Sequence, residues 1–292
     1  MSYKYFSRLS MLIVFSVLSV NTFAESSVWK VSQGDKYFYI GGTIHLLNAS
    51  DHPLPQEFMQ AYNDADKLIF EIDLAASELP ATQQKFLSAM MRDSTSTLDE
   101  DLNPEVFLRL KEFSAARGLP IEALSNFHPW AIALTVTMME YEKLGMRPEY
   151  GVDQYFHELA LSNQKELGNL ETLEQQISYI KSMGNFDPNL MVDYTLRDLE
   201  ELPTFIKEMK MGWRTGDMEA FTKNSLITQM RADFPDLYET LIVNRNNKWM
   251  IDLKALNDND FKEFVLVGTM HLNDEEGILN QLQLAGFYVE QL

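Results

Sequence analysis

The sequence predicts an α/β fold: a central mixed sheet built from the N- and C-terminal segments, flanked by helices, with a helical block at about residues 100–255. Three observations predict it. Short apolar runs bounded by turn residues cluster at both ends of the chain. The middle carries repeated helix-start and helix-stop chemistry. The pentapeptide G-T-x-H-L occurs twice, once near each end, directly after a strand-like run: Gly42, Thr43 and His45 in YFYIGGTIHLL, and Gly268, Thr269 and His271 in FVLVGTMHLN.

VWKVSQGDKYFYIGGTIHLL reads as a hairpin, with a strand at Val28–Val31, a turn at Gln33–Asp35 and a second strand from Lys36 to Ile40. NASDHPLP has loop chemistry. PQEFMQAYNDAD is a short helix with Pro55 in its first turn and Phe58, Met59 and Tyr62 on one face. KLIFEIDL is the next strand. Alternation would place Glu71 and Asp73 on one of its faces, opposite Phe70 and Ile72.

NPEVFLRLKEFSAARGLP then begins a helix with Asn103 as cap and Pro104 in first position, and stops it at Gly118 and Pro120. HPWAIALTVTMMEYEKLG repeats that design, and GVDQYFHELALSNQ is a third helix. KELGNL is a short strand leading into the helix TLEQQISYIKSM. From Pro188 to about Leu256 the pattern is helical and amphipathic, with Gly212 and Gly216 as breaks. FKEFVLVGTMH returns to strand, EEGILNQLQLAG is a helix and FYVEQL a last strand.

Lys4 and Arg8, the apolar stretch MLIVFSVLSV and the small-residue end NTFA read as a secretory signal over residues 1–24, cleaved after Ala24, which leaves a single domain from residue 25 to 292 in the periplasm or outside the cell. The absence of cysteine excludes a cysteine-linked lipid anchor and any disulfide framework. The formal net charge of −19 repels nucleic acid and anionic lipid, so neither is an expected partner. No later run reaches the ~20 apolar residues that span a bilayer. The longest, WAIALTVTMM, reads as a buried helix.

Each G-T-x-H-L copy sets an imidazole just past the C-terminal end of an apolar strand, where open α/β sheets hold their ligands. The bland alternative is a pair of core histidines bonded to backbone carbonyls. Glu71 ends the strand after the first copy, and a carboxylate there needs water, a cation or a donor. Two histidines and one carboxylate are a set that holds catalytic metals with an open position. His157–Glu158 lacks the second histidine of H-E-x-x-H, no G-x-S-x-G elbow is present, and His52 and His128 read as loop and helix-entry residues.

GTIHLL, FEIDL, GVDQYF, LETLEQQ, VGTMHL and QLQLAGFYVE, in that order along the chain, resemble the TraB/PrgY/GumN family, to which the Tiki metalloproteases are related. The hallmark of that family is two G-x-x-H motifs plus a glutamate; these fall on Gly42–His45, Gly268–His271 and Glu71. The resemblance implies a divalent metal (manganese, cobalt or zinc) held by His45, His271 and Glu71, and hydrolysis of a peptide or protein substrate. Asp153 and Glu171 match further recurrent positions. In such a site Glu71 could serve as ligand or base, and Glu171 or Asp73 could shuttle the proton. Arg245 could stabilise the oxyanion, although its residue type and place fit an exposed helix charge better. The rival readings are a peptide-sequestering protein without catalysis and an esterase-like hydrolase.

Overall fold

The computed structural model describes residues 26–92, 97–223 and 226–292. The leader reading, residues 1–24, lies outside them. Six strands form one mixed sheet: β1 (Val28–Gln33), β2 (Lys36–Thr43), β3 (Lys67–Phe70), β4 (Glu166–Asn169), β5 (Glu263–Gly268) and β6 (Tyr288–Gln291), in the order β4-β3-β5-β2-β1-β6. The β1–β2 hairpin is antiparallel, as is the β1–β6 pair, while β2, β5, β3 and β4 run parallel. The sheet is thus mixed and drawn from both ends of the chain, with the short edge strand β4 supplied by the middle.

Strand β5 is the keystone. β2 and β3 are consecutive in sequence but do not touch; β5, arriving from the far end of the chain, fills the space between them. Its run EFVLVG is buried except at its last residue, as a strand packed on both faces must be. Thr43 of the first G-T-x-H-L copy pairs directly with Gly268 of the second. The two copies also interlock through side chains. The Thr269 hydroxyl donates to the Thr43 carbonyl at 2.9 Å, and a Cβ on Gly42 would come 2.8 Å from that hydroxyl. Glycine at 42 therefore reflects a close approach between the two copies.

Helix Gln56–Asp64 follows β2 and buries Phe58 and Tyr62 against the sheet. The helical block has its own apolar cluster, in which Leu196, Leu199, Leu202 and Ile206 of the long helix Pro188–Thr215 meet Val106, Leu110, Ile132 and Val136. That helix is tied to the sheet near its end, where the Trp213 indole N–H donates to the Gly42 carbonyl at 2.7 Å.

Two local expectations need correction. Gly212 lies inside the long helix instead of breaking it; its missing side chain admits the backbone of Phe221, which a Cβ would approach to 3.0 Å. Gly216, with φ 64°, is the residue that stops the helix, as a left-handed C-cap. The strand KLIFEIDL ends at Phe70, and the chain turns there, so Glu71 and Asp73 do not share a strand face. Asp73 is exposed and caps helix Leu74–Ser77 by accepting from the Ala76 N–H at 2.9 Å. No helix among the described residues is long and apolar enough to cross a membrane.

Candidate functional site

The four parallel strands all end at one edge of the sheet, and each delivers one polar side chain just beyond its end: His45 after β2, His271 after β5, Glu71 after β3 and Glu171 after β4. Parallel strands enforce this, because their C-terminal ends must lie together. The Glu171 N–H donates to the Glu71 carbonyl at 2.9 Å and so continues the β3–β4 pairing into the site. Gly268 marks the centre: a Cβ there would lie 3.2 Å from Glu71 Oε1, 3.7 Å from the His271 ring and 3.8 Å from His45 Nε2. The sequence-predicted histidines and glutamate are thus brought to one place.

Arg245 completes the cluster from helix Asn244–Ala255, directly after the π-helical turn Glu239–Val243. The exposed-charge reading of this residue is wrong, since only 8% of it is reached by solvent. Its Nε donates to Glu171 Oε2 at 3.1 Å. Its Nη2 donates to Glu171 Oε1 at 2.8 Å and to Glu71 Oε2 at 2.5 Å. Its Nη1 donates to the Leu241 carbonyl at 3.2 Å and meets His271 Nε2 at 3.0 Å. A guanidinium has five N–H donors and no acceptor. All five are engaged, so the oxyanion-stabilising role expected for Arg245 has no free donor behind it.

The same fact fixes the state of His271. Since Arg245 can only donate, His271 Nε2 must accept, and the proton sits on Nδ1, which donates to Asn246 Oδ1 at 2.6 Å. Asn246 Nδ2 in turn donates to the carbonyls of His271 and Glu276, which holds the amide in that orientation. Burial, with Arg245 beside it, pushes His271 down to about 3, against the opposing pull of Glu71. For Glu71, burial alone would raise the pKa. The Arg245 guanidinium, the two imidazoles and the Gly268 N–H, 2.7 Å from Oε1, outweigh it and hold the carboxyl at about 2. Glu171 is pushed up by burial, with the Glu71 charge adding to the rise and Arg245 opposing it.

His45 differs from the other three, because 63% of its side chain is open to solvent. Its Nδ1–H donates to Asp153 Oδ2 at 2.7 Å, and the Asp153 charge raises the imidazole to about 9 against the opposing effect of its surroundings. The pairing depends on a close backbone contact. The Val152 N–H donates to the Ile44 carbonyl at 3.1 Å, and Leu47 and Arg147 form an isolated bridge. A Cβ on Gly151 would stand only 2.2 Å from the His45 carbonyl oxygen. Helix Val152–Ser162 thereby presents Asp153 in its first turn directly to His45.

For the divalent ion that sequence reasoning assigned to His45, His271 and Glu71, the donor chemistry does not fit. The lone pair of His271 Nε2 and Glu71 Oε2 both face Arg245, and Glu71 Oε1 accepts from Gly268. Among the described residues, no group of three or more histidines and carboxylates stands ready to hold a metal. Sequence reasoning missed Asn246 and Trp249, whose ring centre lies 4.5 Å from that of His271. Both lie on the same helix as Arg245, and no motif spacing marks them.

These ionisations set an acid limit on stability. Unfolded His271 binds a proton near 6.5 but the folded form only near 3, and unfolded Glu71 binds one near 4.5 but the folded form near 2. In both windows the unfolded state holds the extra proton, so stability falls as pH drops from 6.5. The raised Glu171 offsets part of this. Urea midpoints should decline from pH 6.5 to 4.5 in the wild type and decline less in His271→Gln; equal slopes in both would refute the assignment.

A profile of the TraB/PrgY/gumN family matches residues 27–291. The Uncharacterized protein YbaP of Escherichia coli (strain K12) is 27% identical over 251 residues, covering 86% of this chain and 89% of that protein. The Shigella flexneri protein of the same name is 27% identical with the same coverage. No solved structure matches.

Proposed function

The chain belongs to the TraB/PrgY/gumN family, and from that premise we propose that it is a hydrolase of peptides, with His45 as its proton-transfer group and Asp153 as the residue that orients it. The observation that carries this reading is the asymmetry of His45: Nδ1 is fixed on a carboxylate at 2.7 Å, while the side chain is largely open to solvent. A carboxylate on Nδ1 fixes the tautomer that leaves Nε2 as base and stabilises the imidazolium once formed. Water attacks the carbonyl carbon as Nε2 takes one of its protons, and the imidazolium returns that proton to the departing nitrogen as the C–N bond breaks. The Arg245 cluster forms the rigid floor beneath.

A groove of about 680 Å³, which reaches toward the site only through Met270, next to His271, and Leu241, whose carbonyl accepts from Arg245, supports a peptide as substrate. Met183, Met191, Met230 and Met270 line it together with Phe234 and Leu241, and Met270 is the variable residue of the second G-T-x-H-L copy. Cavities of this size and apolar character suit side chains, and methionines adapt to irregular ones. The leader reading would put the reaction in the periplasm or outside the cell.

Incubating the purified chain with a peptide library in ¹⁸O-labelled water tests this. New C-termini carrying the label are expected, at a rate that rises with pH toward about 9 as His45 loses its proton. Peptides bound tightly but recovered whole would favour the sequestering reading instead.

A further inference from the structure

We propose that Arg245 is the resident cation of this site: its guanidinium occupies the space among Glu71, Glu171 and His271 that a divalent ion would have to enter, and it holds that place against metal. The inference stands independently of His45 acting as the base.

Three observations carry it. The acceptors are those a hard or borderline metal would use, namely two carboxylates and an imidazole lone pair, and each meets an Arg245 N–H at 3.0 Å or less. The carboxylates are already served by a buried cation, because Glu71 and Glu171 both pair with Arg245 while their side chains are only 7% and 3% exposed. A divalent ion added beside the guanidinium would meet a like charge within the same buried pocket. The guanidinium also has no easy exit. Its Nη1 is tied back to the Leu241 carbonyl within the π-helical turn, and its carbon lies 4.6 Å from the Trp249 ring centre and 5.7 Å from that of Tyr179. Moving it aside would expose two buried carboxylates and break every donor contact at once. A planar five-donor fork suits this arrangement of acceptors in a way that a lysine would not.

The test is cobalt(II) binding, followed by its visible absorption and by calorimetry, in the wild-type chain, Arg245→Ala and the double variant Arg245→Ala/His271→Gln. The wild type should show no saturable site that is lost with Glu71→Gln or His271→Gln. Arg245→Ala should bind one ion at least 100-fold tighter than the wild type, and the double variant should lose that gain. Submicromolar binding by the wild type that vanishes in Glu71→Gln or His271→Gln would overturn the proposal, as would an Arg245→Ala variant that folds yet binds no better than wild type. Should Arg245→Ala fail to fold, the wild-type arm decides alone: tight binding through His271 and Glu71 refutes the proposal, and its absence upholds it.

Discussion

His45→Gln should lower kcat for peptide hydrolysis by about 10²- to 10⁴-fold, the range expected when a general base is removed, with a modest loss of thermal stability at neutral pH. The stability part follows from the ion pair: an imidazole raised to about 9 by Asp153 stabilises the fold at neutral pH, and with 63% of the side chain facing water, solvent screens that pair and little packing is lost. Asp153→Asn should approach the same loss by another route. An asparagine can turn its NH₂ toward Nδ1, which would move the ring proton to Nε2 and remove the base. Asp153→Ala offers no such donor and should be milder. It should also let the His45 pKa fall from about 9 toward its ordinary value, since the Asp153 charge is the largest cause of the rise. The rising limb of the pH–rate profile would then move to lower pH. Comparing kcat and its pH dependence across the three variants is the check. An Asp153→Ala profile that does not move, or a His45→Gln enzyme at wild-type rate, would remove His45 from the mechanism.

Much of the fold was legible because it rests on local chemistry. The hairpin, the proline-led helices and the apolar β5 run each carry their signal within a dozen residues. The meeting of the two G-T-x-H-L copies was legible as a motif, but its cause was not, since only the insertion of β5 between β2 and β3 pairs Thr43 with Gly268. Asp73 was misplaced because alternation assumes the strand continues, whereas the chain turns after Phe70 and Asp73 becomes a cap. Arg245 was read as exposed because a charge in a polar stretch such as VNRNN has no local mark of burial. Its acceptors lie 74 and 174 residues away in sequence, on the ends of β4 and β3. The π-helical turn that precedes it is likewise set by packing and has no pattern to read.

Arg245→Met should cost about 3–5 kcal/mol of folding stability, the usual penalty for removing one partner of a buried ion pair. The size follows from what remains: Glu71 and Glu171 would be left as neighbouring carboxylates, both under a tenth exposed, with His271 Nε2 facing them unpaired. Lysine should not rescue fully, because an ammonium has three donors where the guanidinium uses all five. Neutralising an acid should help where replacing the base does not. In the Arg245→Met background, Glu171→Gln removes one of two uncompensated charges and should restore part of the loss, while the same change in the wild type should destabilise by breaking the bidentate pair. A double-mutant cycle measured by urea unfolding isolates that reversal of sign. If Glu171→Gln destabilises equally in both backgrounds, the two residues are not coupled, and Arg245 does not anchor the β4 end of the site.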